Sequence, residues 1–373
     1  MSPGSDQHPD LREKDGGRCA AFERLVPWTP TRSGPPAMSE IRQNPITGEW
    51  VVIAPERAKR GATTDSRAVP AEIPNYLASC PFCPGNEAMS EERFRVDGED
   101  GGWSVRSVAN KFSVLSPDGE VGDPGCVPAG VMRVNGVGLH EVLVESPHHN
   151  AAMALYPVPH LQQVLDAFRD RFLGFYSDPR VRHVIIFKNQ GADAGASQQH
   201  PHSQIVGLPV VPGQVVDRLE RSRRFFESSG QCLACSILAS EIEQGCRIIA
   251  ENSHYAAFIP HAALSPYHLW IFPKAHQPCF SNLPPDGLAA ILQVVLAKIH
   301  GLLNNPPFNL VIRSLGPEKA GVAHFHWYLA IVPRVNKRAG FELGTGMYIN
   351  PSSPESCAKA LREFSPDPKR DAP

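Results

Sequence analysis

The segment from Phe187 to Gln204 concentrates side chains that could bind and attack a phosphoryl group. Gly191 and Gly195, which stand among small residues, suit a loop whose backbone approaches a ligand closely. Neutral hydrogen-bond donors lie before, within and after this loop: Asn189, Ser197 and Gln204. The segment therefore predicts a site that surrounds an anion with backbone and neutral polar groups.

The same segment contains His200-Pro201-His202. Residues two apart on an extended strand point to the same face, so one imidazole can bind a metal while the other faces a pocket. A neutral imidazole is a good nucleophile toward phosphorus. Arg57, Lys59 or Arg60 could stabilise charge on the phosphoryl oxygens. The alternative is that both histidines bind metal and neither reacts, which leaves the Gly-rich approach unexplained.

Two Cys-x-x-Cys pairs predict metal sites: Cys80-Pro81-Phe82-Cys83 and Cys232-Leu233-Ala234-Cys235. This is the spacing of half a tetrahedral zinc site, although a redox pair has the same spacing. Neither pair is followed by a second pair at zinc-ribbon spacing. The remaining ligands must therefore lie far along the chain, and histidines are the candidates.

We assign His149 and His200 to the first site, and His276 and His326 to the second. Both halves place one histidine just after a predicted strand and another in a His-x-His. In the second site His324 could replace His326, and two further cysteines could intrude: Cys246 and Cys279.

Hydrophobic patterns predict the elements that position these residues. Residues 41–53 predict strand, turn and strand, and residues 140–145, 184–187 and 205–212 predict further strands. A helix is predicted over 160–176, because its apolar residues share one face: Leu161, Val164, Leu165, Phe168, Phe172 and Phe175.

The pattern recurs in the second half, with strands at 268–272, 310–312 and 326–332 and a helix over 288–303. Each half also opens with a Cys-x-x-Cys pair. We infer the duplication of one domain, although the period is longer than that of solenoid repeats. The predicted divisions are an N-terminal extension without stable structure over 1–37, a domain over 38–215 that carries the nucleophile, and a domain over 216–373.

Composition excludes several classes of function. The chain has 373 residues, and 36 basic against 38 acidic residues give a net charge of -2. This balance argues against a protein that binds along the phosphate backbone of nucleic acid, because such proteins usually carry a basic excess. No apolar run reaches the length of about 18 residues that predicts a membrane span, and the first residues lack the apolar region of a signal peptide. We therefore expect a cytoplasmic protein without a membrane partner, whose nine cysteines are thiols or metal ligands.

Several motifs resemble those of the galactose-1-phosphate uridylyltransferases, which belong to the histidine-triad superfamily. The resemblance extends from about residue 41 to 365, and it implies an α+β fold of two histidine-triad-like repeats, each an antiparallel half-barrel sheet flanked by helices. The matching motifs lie at residues 44–50, 57–60, 80–83, 146–149, 187–191, 200–204 and 340–346.

The resemblance also implies ping-pong nucleotidyl transfer. His202 would attack the α-phosphorus of UDP-glucose, glucose 1-phosphate would leave, and galactose 1-phosphate would accept the uridylyl group. Gln204 would hydrogen-bond a phosphoryl oxygen of the intermediate, and Ser197 would contact the phosphates. The substrate-binding residues implied are Arg57, Lys59, Arg60, Asn110, Asn189, Gly195, Phe341, Glu342, Gly346 and Met347.

The expected cofactor is structural zinc at one or two sites, and the expected partners are a nucleotide sugar and a sugar phosphate. Cys80, Cys83, His149 and His200 would hold the zinc that supports the strand of His202. Members of the family often form homodimers with sites near the subunit boundary, so a homodimer is also expected.

Much of the chain is equally similar to plant-type ADP-glucose phosphorylases, which pass an adenylyl group from histidine to phosphate. That group has a second zinc site, which Cys232, Cys235, His276 and His326 fit. Pro201 is instead the uridylyltransferase form of the signature. The sequence therefore favours UDP-hexose chemistry, with ADP-glucose phosphorolysis as the alternative. A zinc-stabilised nucleotide-binding module without turnover and a histidine-triad hydrolase are the hypotheses from other classes.

Overall fold

The structure is a computed structural model that describes residues 39–59, 73–99, 101–122, 132–282 and 287–366. The predicted extension over 1–37 lies outside the described residues, as do Arg60 and the side chain of Lys59. Within the described ranges, the helices are too short or too polar to span a bilayer.

Strands and helices alternate through both halves of the chain. The strands are β1 (Glu40–Gln43), β2 (Trp50–Ile53), β3 (Glu92–Asp97), β4 (Trp103–Ala109), β5 (Leu139–Val144), β6 (His183–Gln190), β7 (His202–Leu208), β8 (Ile248–Glu251), β9 (Tyr255–Phe258), β10 (Leu269–Pro273), β11 (Phe308–Arg313), β12 (Tyr328–Pro333) and β13 (Tyr348–Asn350). The helices are α1 (Val158–Tyr176), α2 (Gly213–Ser229), α3 (Leu233–Gln244), α4 (Leu288–Leu303), α5 (Gly340–Thr345) and α6 (Pro354–Glu363).

Ten strands form one antiparallel sheet in the order β3-β4-β5-β7-β6-β11-β12-β10-β9-β8. Read inward from either edge, the two halves have the same strand order, which is the arrangement expected of two copies of one unit. They join where β6 pairs with β11, with Phe187 opposite Val311. The predicted α+β fold of two histidine-triad-like repeats is confirmed, and the repeats share a continuous sheet. The domain division at 215/216 stays a prediction.

One face of the sheet carries a shared apolar core. All six apolar residues predicted on the face of α1 are buried, and α4 buries its corresponding face against the same cluster. On the other face lie α2, α3 and a small sheet in which β1 and β13 flank β2. The two helices α1 and α4 therefore belong to one core although they come from different repeats.

Truncation of a core aromatic residue in α1 tests this packing. Phe172 is 1% exposed, whereas its neighbour Leu173 is 40% exposed. We expect Phe172→Ala to lower the free energy of unfolding by about 3–5 kcal/mol, because it leaves a cavity. Leu173→Ala should cost less than about 1 kcal/mol. Urea denaturation measures both, and equal losses would contradict the assigned helix face.

Candidate active site and metal centres

Cys80, Cys83, His149 and His200 converge in a buried cluster, where one atom from each lies within 4.8 Å of the others. The two histidine Nδ1 atoms are 3.3 Å apart, and Cys83 Sγ lies 3.5 Å from one and 3.7 Å from the other. Zinc with tetrahedral bonds of about 2.3 Å to sulfur and about 2.05 Å to nitrogen requires about 3.3 Å between nitrogens and about 3.6 Å between sulfur and nitrogen. The four side chains therefore fit the corners of a tetrahedral metal site.

The second ring nitrogen of His200 is held by the backbone. Its Nε2 lies 2.8 Å from the carbonyl oxygen of Ser146. A carbonyl can only accept, so Nε2 carries the proton and Nδ1 keeps the lone pair that a metal requires. The tautomer that suits a ligand is thus selected by the backbone that follows β5.

Cys232, Cys235, His276 and His326 form a second cluster with the same residue types. Cys235 Sγ lies 3.4 Å from both histidine Nδ1 atoms, and each histidine Nε2 faces a backbone carbonyl. His276 is exposed, so this cluster lies closer to the surface than the first. The alternative ligand His324 lies apart from the cluster with its ring against Phe226.

His202 begins β7 and is 6% exposed. Its Nδ1 lies 2.8 Å from the carbonyl oxygen of His200, so Nδ1 carries the proton and Nε2 keeps its lone pair. Burial lowers the pKa of His202 below the ordinary value, which keeps the ring neutral at pH 7. A nucleophilic nitrogen is therefore available at Nε2.

A buried ion pair lies on the opposite face of β7. Lys188 Nζ is 2.9 Å and 3.0 Å from the two carboxylate oxygens of Glu145, and both side chains are at most 2% exposed. The same ammonium donates to the carbonyl oxygen of His202 at 3.2 Å, and the Ser203 hydroxyl donates to Glu145 Oε1. These contacts satisfy both charges and hold the backbone of His202 between β5 and β6.

Gln204 lies on the same face of β7 as His202, because the two residues are two positions apart. Its Oε1 lies 2.9 Å from His140 Nε2, and Asn110 Nδ2 is also 2.9 Å from that nitrogen. The Val114 amide donates to His140 Nδ1, so Nε2 carries the proton and donates to Gln204. His140 was not among the predicted site residues. The sequence feature that could have identified it is the similarity between residues 140–149 and residues 268–276, because both segments begin with histidine.

Asn189 is anchored by the second repeat. Asn309 of β11 donates to Asn189 Oδ1 at 2.7 Å and to the Ala194 carbonyl at 2.8 Å. Gly191 has a φ of 80°, and a Cβ there would lie 2.9 Å from Pro307, so glycine is required at this close approach. Sequence reasoning missed Asn309, because only the β6–β11 pairing brings it to the loop.

These elements surround a cavity of about 430 Å³. Asn189, Ser197 and His202 line it, so the structure brings together three of the predicted site residues. Gln204 is held beside His202 through β7. Gly195, with a φ of 89°, ends the short turn that follows Gly191 and is in the left-handed region.

Comparison with known proteins decides the family. Residues 32–212 match the family described as galactose-1-phosphate uridyl transferase, N-terminal domain. The chain is 36% identical to an ADP-glucose phosphorylase of Arabidopsis thaliana, over 87% of this chain and 93% of that protein. It is 29% identical to a galactose-1-phosphate uridylyltransferase of Thermotoga maritima, over 87% and 98%. The crystal structure of an Arabidopsis ADP-glucose phosphorylase with bound ADP-glucose superposes with a TM-score of 0.74 at 33% identity, covering 88% and 99% of the two chains.

The chain belongs to the galactose-1-phosphate uridylyltransferase family. It is an enzyme of the nucleotidyltransferase type, acting on nucleotide-sugar and phosphate substrates. The resemblance predicted from the ordered motifs is thereby confirmed.

Other residues that the family resemblance implies as substrate-binding lie away from His202 in this chain. Arg57 lies in the turn after β2, and Phe341 and Glu342 lie in α5, which Gly346 and Met347 follow. None of these residues is among the described lining of the His202 cavity. Glu342 caps the start of α5 by accepting from the Ala339 amide. Asn110 Nδ2 instead lies 2.9 Å from His140 Nε2, a contact between two N–H groups and not a hydrogen bond.

Removal of Lys188 tests the ion pair beneath His202. We expect Lys188→Met to lower the free energy of unfolding by about 3–5 kcal/mol, because Glu145 would stay buried without its counter-charge. Lys274→Met is the matched control, since its pair with Glu251 is partly exposed and should contribute less than about 1 kcal/mol. Denaturant unfolding compares the two, and a loss for Lys188→Met no larger than that of the control would contradict the assignment.

Proposed function

We propose that this enzyme transfers an adenylyl group from ADP-glucose to inorganic phosphate through a covalent intermediate on His202. The observation that carries the proposal is the imidazole itself. Its Nδ1 proton is held by the His200 carbonyl at 2.8 Å, and the residue lines a cavity beside a glycine-rich loop. This geometry presents a neutral ring with a free Nε2 lone pair to a bound phosphoryl group.

The proposed adenylyl transfer has two steps. His202 Nε2 bonds to the α-phosphorus, the bond from that phosphorus to the bridging oxygen breaks, and glucose 1-phosphate leaves with the electron pair. An oxygen of inorganic phosphate then attacks the same phosphorus, the phosphorus–nitrogen bond breaks and ADP is released. The positive ring of the intermediate is stabilised because Nδ1 still donates to the His200 carbonyl.

Neutral donors complete the site. Ser197 and Asn189 line the cavity and can donate to phosphoryl oxygens, while Gln204 is oriented by His140 with its amide nitrogen free to turn toward the same group. Asn309 holds Asn189, so the second repeat contributes to the first repeat's site. Such preorganised donors stabilise charge as it develops on the transferred group.

The choice of ADP-glucose has two supports. Identity is 36% to the Arabidopsis phosphorylase and 29% to the Thermotoga uridylyltransferase. The second Cys/His cluster also matches the pattern that the sequence resemblance associates with plant-type phosphorylases. Both outweigh the single residue Pro201, on which the sequence preference for UDP-hexose chemistry depended.

The second candidate is uridylyl transfer from UDP-glucose to galactose 1-phosphate. Pro201 between the two histidines favours it. The first step is the same in both candidates. The base and the acceptor differ, so one labelling experiment separates them.

Intact-protein mass after brief incubation with ADP-glucose or with UDP-glucose, without acceptor, tests the proposal. We expect an adenylyl adduct that disappears when phosphate is added. His202→Ala should abolish the adduct, and His254→Ala, an exposed histidine outside the cavity, should keep it. A uridylyl adduct alone would contradict adenylyl transfer and support the second candidate, uridylyl transfer. Persistent labelling of His202→Ala would overturn the nucleophile assignment.

We also propose that zinc occupies both Cys/His clusters. Two thiolates and two imidazoles are the donor set of closed structural zinc sites. In the first cluster the metal would fix His200, whose carbonyl in turn holds the Nδ1 proton of His202. Zinc would thus support the orientation of the nucleophile, and it contributes folding free energy when bound.

A pair of adjacent histidines tests the first metal site. His149 is a buried member of the cluster, whereas His148 is exposed. We expect His149→Ala to lose about one zinc per chain by elemental analysis and to unfold at a lower temperature, because metal binding is coupled to folding. His148→Ala should keep the metal content of the parent protein. Full zinc content in His149→Ala would refute the ligand assignment.

Phe341 and Glu342 of α5 are substrate-binding residues by the family resemblance, but within one chain they do not line the His202 cavity. We propose that a homodimer, which the family resemblance implies, brings α5 of one chain toward the site of the other. Analytical ultracentrifugation tests the assembly itself, and a monomer at micromolar concentration would count against it.

A further inference from the structure

A second cavity, of about 450 Å³, lies on the same face of the sheet as His202 but is centred on the second repeat. It extends across β6, β11 and β12 and is bordered by α2. His202 is not part of its lining. In the strand order, β12 is three positions from β7, or about 14 Å along the sheet at about 4.8 Å per strand.

Positive charge dominates this cavity. Its lining includes the carboxylates of Glu49 and Glu342. Against these two stand five cationic side chains: Arg218, Arg313, Arg334, Lys337 and Arg338. Arg218 hydrogen-bonds to the backbone and side chain of Gln214, and within the described part of the chain no carboxylate pairs with it. Burial and the nearby charge of Arg218 lower the pKa of Arg313.

Four buried polar atoms on the cavity wall have no partner among the described residues: the donors Ser265 Oγ, His268 Nδ1 and Arg218 Nε, and one acceptor, Glu49 Oε2. The Trp270 indole donates to His268 Nε2 at 3.2 Å, so Nδ1 carries the proton of the neutral ring. Burial and the charges of Arg313 and Arg334 lower the pKa of His268 to about 3. A ring that is neutral at physiological pH therefore presents an N–H donor, and buried donors without an acceptor cost free energy.

Duplication relates this cavity to the catalytic one. His326 and His200 are each followed two positions later by a strand residue on the same face, Tyr328 in the second repeat and His202 in the first. His268 likewise corresponds to His140 at the start of the parallel segments. In the second repeat, a tyrosine that lines the second cavity therefore lies where the first repeat has its proposed nucleophile.

We propose that this cavity is a second phosphate-binding site, which takes the phosphate group of a small metabolite without transferring it. A phosphate offers acceptor oxygens to the unpartnered donors and negative charge to the guanidinium groups. Tyr328 is a weaker nucleophile than a neutral imidazole at neutral pH, so binding without covalent chemistry is expected. The site does not include His202, although Asn189 lines both cavities.

Trp270 provides a local reporter, because its indole contacts His268. We would incorporate 5-fluorotryptophan, assign the Trp270 resonance with Trp270→Phe, and titrate with inorganic phosphate and separately with glucose 1-phosphate. We expect a saturable shift of that fluorine resonance. Tighter binding of glucose 1-phosphate would assign a sugar phosphate to the site, and equal or tighter binding of inorganic phosphate would assign the free ion.

Arg313→Met should weaken this phosphate response at least about tenfold, since it removes a charge-assisted contact. Arg224→Met, on the exposed face of the same helix as Arg218, is the control and should respond as the parent does. Arg313→Met should also unfold at no lower temperature than the parent without phosphate, because it removes an unpaired charge. If that variant does not fold, Arg218→Met takes its place.

A Trp270 resonance that does not move with either probe would overturn the proposal. So would an unchanged affinity in Arg313→Met and Arg218→Met. Neither readout uses a nucleotide or His202, so failure of this proposal is distinguishable from failure of the adenylyl-transfer proposal.

Discussion

Strands β6 and β11 pair across the middle of the ten-stranded sheet, and this pairing decides which surfaces each repeat buries. It places α1 and α4 side by side over one apolar core on one face. On the other face it brings Asn309 within 2.7 Å of Asn189, so a residue of the second repeat orients a residue of the first repeat's site. Without this pairing each repeat would expose a sheet edge, and the loop before His202 would lose its support.

Buried charge is handled in two different ways on the two faces of this sheet. Lys188 and Glu145 neutralise each other, and they also bond to the His202 carbonyl and the Ser203 hydroxyl, so their burial is compensated and holds one strand in place. Arg218 and Arg313 line one cavity and repel each other, and no carboxylate of the described residues forms an ion pair with either, although Glu49 lines the same cavity. The first arrangement balances its charges within the chain, whereas in the second the proposed phosphate would supply the negative charge. A charge without a counter-charge is therefore a physical reason to expect a ligand.

The sequence predicts the elements whose hydrophobic pattern is strong and the ligands whose spacing is specific. Helices α1 and α4 were expected almost to the residue, because their apolar positions repeat at the period of a helix. Both Cys/His clusters were also expected, and His326 rather than His324 completes the second. Strands β8 and β9 were not predicted. In β9 (YAAF) every position is buried, so the sequence shows no alternation of apolar and polar residues.

Helix α2 was not predicted either, because it is rich in charged residues and buries few residues, so its hydrophobic pattern is weak. The roles of His140 and Asn309 could not be predicted either. Both act through contacts between strands that are distant in sequence, and such contacts follow from sheet order, which local patterns do not specify.

The second repeat keeps a Cys/His cluster although a tyrosine, Tyr328, lies where the first repeat has His202. In both repeats a ligand histidine precedes the sheet residue by two positions, and its Nε2 is held by a backbone carbonyl, of Ser146 in the first and Pro273 in the second. These hydrogen bonds tie the segment before β7 to the residues that follow β5, and the segment before β12 to the end of β10, whichever side chain lies two positions later. Tyr328 could replace a histidine without disturbing these hydrogen bonds, because it lies two positions beyond His326. The same architecture can therefore position the proposed nucleophile in one half and a cavity without one in the other, and the divergence requires changes only at side chains that face the cavity.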